Sequence, residues 1–369
     1  MKSSNKQAKT RYAESLAEVY HHIQGIRKEI EQTEGDKSPI MWFRGHARTF
    51  FHLEPSIFRE VDYVYNSEGT YSNNKLREEY RFQSFMSRNY DNVDYRVPQT
   101  VIEWQEVMQH FFTKTRLMDW SESLTVALEF ALESFITPVK DLEIKERCRV
   151  ADPVIWILQP VKLNKSVYDS FIEDDESLIK RALTAKDERL AKKVWMELEK
   201  EKESGIYYNM NGEQDTNMNT MIGLSSLEII RKSYKGREMK ALGTFEMNPF
   251  FYLLLRYYSD GVPVPMGKIP PLAIIHPYHS QRIKMQKGVF TVFPYYTPDE
   301  QMKKINNING SYPSIGMEYM SKCMPCLHSI KILNPKKIAK ELMGTGARRG
   351  NLYPDMQIVS QDMENAVKL

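Results

Sequence analysis

Apolar residues recur at spacings of three and four along 11–32, at Leu16, Val19, Tyr20, Ile23 and Ile26. That spacing predicts an amphipathic helix with one buried face, ended by the polar run at 33–38. A short apolar run at 40–43 then predicts a buried strand, with Arg44-Gly45 at its end. Leu53-Glu54-Pro55-Ser56 predicts a turn. Helical spacing returns at 75–90 and, after Pro98, at 99–112. Residues 116–118 predict a short strand and Asp119-Trp120-Ser121 a turn. A buried helix is expected at 124–132, with Ser121 or Ser123 as its N-cap. The run at 154–158, fenced by Pro153 and Pro160, predicts a strand.

The pattern changes beyond residue 160. Residues 173–203 carry both charge signs and predict solvated helix, and the Asn-rich stretch at 208–220 predicts a loop. Apolar character resumes with a helix expected at 250–258 and strands at 272–276, 289–293 and 328–333. A helix over 334–342 is expected to open with Asn334 as N-cap and Pro335 at its first position. No repeat of 20–50 residues is visible. The sum is an α+β fold with strands spread along the chain.

Composition narrows the function classes. Of 369 residues, 51 are Lys or Arg and 48 are Asp or Glu, a formal charge of +3, so a histone-like basic binder is not expected. Three cysteines, Cys148, Cys323 and Cys326, do not make a secreted disulfide framework. Neither a leader h-region nor an apolar run long enough to span a membrane is visible, so the expectation is a soluble, cytoplasmic protein. Cys323-Met324-Pro325-Cys326 is a lone CxxC, read as structural thiols, and no metal is expected. The phosphate-loop GxxxxGK[ST], the esterase GxSxG and the zinc-protease HExxH are all absent.

Three phrases carry candidate chemistry. Trp42-Phe43-Arg44-Gly45-His46 puts a guanidinium at the end of an apolar strand, where it must meet a carboxylate or face a cleft. A fork for phosphate or a cofactor hydroxyl suits planar, always-charged Arg. Thr115 to Ser121 gathers Arg, Asp, Trp and Ser at a strand-to-helix junction, where backbone N–H groups can meet an anion and an Arg–Asp pair plus a helix cap is the plainer reading. Arg282, Lys284, Gln286 and Lys287 precede a strand, and a surface turn explains them equally well.

Together these phrases resemble the FRG-domain family. The resemblance rests on Phe43-Arg44-Gly45, Leu53-Glu54-Pro55-Ser56, Gln109-His110-Phe111 with Thr115 to Ser121, and the helix at 126–131. Arg282, Gln286, Gly288 and Phe290 and the closing phrase at 351–355 extend it. It covers about 40–135 and, in patches, 272–358. It implies a core in two parts, 39–160 and 251–369, with an N-terminal helical segment at 1–38 and a charged insertion at 161–250.

A second, weaker resemblance is to ADP-ribosyltransferases, which implies a split mixed or antiparallel sheet core with surrounding helices and a largely helical insertion. It implies NAD as substrate and cleavage of the nicotinamide–ribose bond, which passes through an oxocarbenium-like cation as glycoside cleavage does. On that mapping Arg44, Gly45, His46, Phe43, Trp120, Ser121 and Arg282 bind the dinucleotide, with Trp120 or Phe43 stacking on the departing ring. Asp119 lies under the developing charge or holds a ribose hydroxyl, and Gln286 holds a hydroxyl. Arg116 is either a phosphate ligand or the partner that fixes Asp119. The third-strand Glu of that superfamily has no counterpart before 289–293. The family suggests a toxin or anti-phage effector with a nucleic-acid, protein or water acceptor and a regulatory protein partner, an antitoxin or chaperone. Locally basic stretches at 231–240 and 331–349 lean towards RNA or DNA. The alternative is a non-catalytic nucleic-acid or nucleotide-binding module.

Overall fold

The computed structural model describes residues 10–34, 39–49, 51–59, 70–89, 101–136, 152–173, 263–265, 269–275, 280–297, 316–353 and 360. The expected helices at 173–203 and 250–258, the loop at 208–220 and the basic stretch at 231–240 lie outside them.

Seven strands build one mixed sheet: β1 (Thr10–Ala13), β2 (Trp42–His46), β3 (Leu117–Ser121), β4 (Val154–Leu158), β6 (Leu272–Ile274), β7 (Gly288–Val292) and β9 (Leu327–Ile332). Their spatial order is β1-β9-β4-β2-β3-β7-β6, and only the β1–β9 pair is parallel. A separate parallel pair joins β5 (Pro263–Pro265) to β8 (Tyr295–Thr297). The helices are α1 (Leu16–Glu34), α2 (Thr70–Asn89), α3 (Val101–His110), α4 (Leu124–Ile136), α5 (Pro160–Glu173), α6 (Gln281–Met285), α7 (Pro335–Gly344) and α8 (Arg349–Leu352).

Strands from before and after the segment at 174–262 share this sheet. The core is therefore one α+β unit rather than domains in series. One face carries an extended apolar cluster. Phe43, Ile155, Ile157, Ile330 and Ile332 from the strands meet Ile23 and Ile26 of α1, Ala127, Leu128, Ala131 and Leu132 of α4, and Ile338 and Leu342 of α7. α4 is apolar nearly all round because it packs between the sheet and α7. α7 starts as its sequence dictates: Asn334 Oδ1 accepts from Lys337 N at 3.2 Å, and Pro335 stands in the first turn. At the sheet edge, Asn164 of α5 bonds both Ala273 O and Ala273 N, so its amide covers part of the open ladder of β6.

Two expectations need correction. Residues 10–13 form an edge strand rather than the start of a helix, because pairing with β9 supplies hydrogen bonds that no local periodicity reveals. Asp119-Trp120-Ser121 is strand, not turn. Its ladder with Gly288, Val289 and Phe290 holds it extended, and α4 begins only at Leu124.

Candidate functional site

The site forms where the sheet parts. β2 pairs with β4 over five residues, but with β3 through Phe43 and Ser121 alone. Beyond that pair the Arg44 side chain bridges the two strands: Nη1 donates to Asp119 O at 2.5 Å and reaches Asp119 Oδ2 at 3.4 Å. A guanidinium thus stands where backbone ladder bonds would continue. Asp119 is also held by Gln109 Nε2, and Gln109 Oε1 accepts from Thr115 Oγ1 at 2.9 Å. Half of the Asp119 side chain remains exposed.

A cleft of about 350 Å³ opens at this break. Its walls include Phe43, Arg44 and Gly45 of β2, Asp119, Trp120 and Ser121 of β3, and Arg282 and Gln286 from the α6 turn. Eight of the ten residues singled out from sequence therefore meet at one place, although they come from three segments up to 243 positions apart (286 − 43). The other two, His46 and Arg116, stand outside its lining.

His46 supports Arg44 from behind. Arg44 Nε donates to His46 Nε2 at 2.9 Å, so that nitrogen accepts, and the proton lies on Nδ1, 3.1 Å from Phe51 O. Burial, followed by the charges of Arg44 and Arg59, lowers the imidazole to a pKa of about 2. The ring is therefore neutral at physiological pH. Its role in the structure is to orient the guanidinium.

Gly45 has a steric role. A Cβ there would lie 1.8 Å from Ala127 O and 2.8 Å from Ala131 N. The glycine lets β2 approach α4 backbone to backbone, and the alanines of α4 make room on the other side.

Arg116 takes neither part expected of it. It is 1% exposed, and its Nε donates to Glu78 Oε2 at 2.8 Å while Nη1 donates to Phe293 O at 2.8 Å. Gln105 Nε2 bonds the other Glu78 oxygen at 2.9 Å. This is a buried ion pair joining α2, α3 and β3; removal of one partner from such a pair costs about 3–5 kcal/mol. Trp120 is 3% exposed, with Nε1 donating to Thr291 Oγ1 at 3.1 Å, so its indole face is packed rather than open for stacking. Phe43 is buried as well. Ser121 Oγ donates to Gln286 O at 2.7 Å and accepts from Ser123 N at 2.9 Å, which ties α6 to the start of α4.

Gln286 and Arg282 close the other side. Gln286 Nε2 donates to Leu352 O at 3.0 Å, which leaves its carbonyl end to accept. The Arg282 guanidinium lies 4.5 Å from the Tyr353 ring centroid and 5.9 Å from that of Phe112. Among the described residues no carboxylate lies within 4 Å of it. The aromatic rings hold this cation in place and leave its N–H edge for an anion.

Sequence reasoning missed several lining residues, among them Gln109, Glu106 and Phe112. Gln109 stood inside a quoted phrase, but nothing local showed that it would grip Asp119 across ten positions. Glu106 stands one helical turn before it and is 1% exposed. Burial, then the charge of Glu103, raises its carboxyl well above the usual range and favours the protonated form. Its i, i+3 spacing to Gln109 was the available signal. Phe112 is 85% exposed and belongs to the same lining. Cys323 and Cys326 are buried thiols, and burial pushes the Cys323 thiol well up. No helix among the described residues is long and apolar enough to cross a membrane.

Residues 39–138 match the family model of the FRG domain. The match takes in β2, α3, β3 and α4, which supply most of the cleft. The segment at 280–290 that completes it lies outside. No curated protein and no solved structure matches the chain.

Proposed function

We propose that this FRG-domain protein is an ADP-ribosyltransferase-like enzyme that consumes NAD, and that the cleft at the β2–β3 break is its active site. The observation that carries the proposal is the pair of guanidiniums, Arg44 and Arg282, contributed to one cleft by a strand and a distant helix. Arg282 offers an open fork and Arg44 its remaining Nη2, a pair of cations that suits a diphosphate. The cleft volume is at the lower end of the ~300–1,000 Å³ of small-molecule sites. It suits one half of a dinucleotide, with the other half lying across the open mouth.

The reaction breaks the bond between ribose C1′ and the nicotinamide nitrogen. The ring leaves with the bonding pair, and positive charge develops on the ribose. Asp119, held by Arg44 and Gln109, offers a carboxylate to that charge. The Gln286 carbonyl accepts from a ribose hydroxyl, and Glu106 adds a second hydroxyl contact in place of the absent third-strand Glu. On this account most of the catalysis is orientation and fixed charge. The buried indole of Trp120 leaves Phe130 as the ring in the lining for the nicotinamide.

The test is release of free nicotinamide when the purified protein is incubated with NAD and RNA, DNA, protein or no acceptor. Wild type is expected to release it, and Arg44→Ala to lose about 10²–10³-fold, the range for removal of one fixed electrostatic group. Unchanged NAD with every acceptor, from protein shown to be folded, contradicts the proposal. One observation favours a second reading, a non-catalytic nucleotide- or nucleic-acid-binding module. Asp119 is already engaged by Arg44 and Gln109, so it is less available to a reaction centre. Salt-sensitive polynucleotide binding without NAD turnover would select that reading.

A further inference from the structure

Beside the cleft lies a surface that the chemistry above uses only at Arg282. α3 ends at His110, and the chain turns through Phe111 and Phe112, 57% and 85% exposed. Large apolar rings are seldom presented to water in sequence. Phe112 does so with φ 63, in the left-handed region that Phe rarely adopts. Among the described residues one other non-glycine has positive φ, Lys287 at φ 46, and it follows α6 at the same cleft. Backbone strain of this kind costs of order 1–3 kcal/mol and gathers at ligand clamps. Here it turns an exposed ring and an exposed ammonium outward on two separate segments.

Cations stand on this side of the cleft, with Glu122 bonded to Lys287 through the backbone. Arg282 lies against Phe112, and Lys284 and Lys287 follow it on the surface. Among the described residues no carboxylate is within 4 Å of any of the three cations. An exposed ring with unneutralised cations beside it fits a partner with flat aromatic faces and regularly spaced anions. Single-stranded nucleic acid has both: its bases stack on rings, and its phosphates meet the cations. A duplex hides its base faces, and an acidic peptide has none.

We propose that the Phe112–Arg282–Lys287 rim is a binding platform for single-stranded nucleic acid, which brings an unpaired nucleotide to the mouth of the cleft. The inference deepens the proposed function by naming its acceptor class, and it rests on that reading for the chemistry at the cleft. The platform is sequence-tolerant, because every base has a face to stack. Binding weakens as salt rises, because counterions are released from the phosphates.

The test is fluorescence anisotropy of the full chain with labelled 12-nucleotide single-stranded RNA and DNA, the matching duplexes and an acidic peptide of equal charge, over a salt series. The variants are Phe112→Gly and Lys287→Gly. Glycine accepts a positive φ without cost, so each is expected to keep or gain stability, and a binding loss then reports the side chain. Wild type is expected to prefer single strands. Phe112→Gly is expected to weaken that binding about tenfold, within the range for one stacked base, and Lys287→Gly to flatten the salt slope. No single-strand binding at low salt, equal binding of duplex or peptide, or unchanged binding by Phe112→Gly would overturn the inference. Nicotinamide release to water without oligonucleotide binding would sink this inference alone, whereas oligonucleotide binding without NAD turnover would sink the enzymatic reading alone.

Discussion

At the scale of the residue, the site is built from side chains that fix one another. His46 accepts from Arg44, Arg44 bridges to Asp119, and Gln109 holds Asp119 from α3. Glu106 differs, because burial favours its protonated form. The folded chain binds that proton at pH values where the unfolded chain has released it. Glu106 therefore contributes stability that is full below the unfolded value, near 4.5, and is lost as pH rises towards its raised folded value. Unfolding free energy of wild type should fall as pH rises above about 5 towards that raised value, by up to about 1.4 kcal/mol per unit from this group. Glu106→Gln, which imitates the neutral acid, should show a shallower fall across the same window in urea titrations. Parallel pH profiles for the two proteins would mean that Glu106 is ionised in the fold.

At the scale of the element, β2 and α4 are the fixed pair on which the site depends. Gly45 and the alanines of α4 bring them into backbone contact, and Arg44 is aimed across the sheet break as a result. Gly45→Ala places a methyl inside van der Waals distance of the α4 backbone. It should destabilise the protein by about 3 kcal/mol or more, the upper part of the overpacking range. Thermal melts of wild type and variant check this; equal midpoints would show that the two elements can separate at little cost. Much of this level was legible in the sequence. Val154–Leu158 announces itself as a strand by a continuous apolar run, and Asn334-Pro335 marks a helix start by cap chemistry. The extended state of Asp119 to Ser121 was not legible, because it comes from a ladder with residues 288–290. The strand at 10–13 was hidden for the same reason, since its partner lies over 300 positions away.

At the scale of the whole molecule, the sheet assembles strands from both sides of the charged insertion, and the cleft draws its walls from both as well. The individual phrases around Arg44, Asp119 and Gln286 could be read from the chain, and the family resemblance gave their order. Their convergence, the burial of Trp120 and the pairing of Arg116 with Glu78 could not be read, because each depends on contacts between distant segments. The +3 total also conceals the arrangement, since cations gather at the cleft mouth while several acids lie buried beneath the sheet's helices. The central claim is that one cleft, lined by Arg44, Asp119, Arg282 and Gln286, holds the reacting half of NAD. The most direct test is a crystal structure of the full chain with an unreactive NAD analogue whose ribose ring oxygen is replaced by carbon. The account predicts ligand density in that cleft, with the diphosphate on Arg44 and Arg282 and the ribose between Asp119 and Gln286. Density elsewhere on the protein, or a cleft that stays empty at saturating analogue, would contradict it.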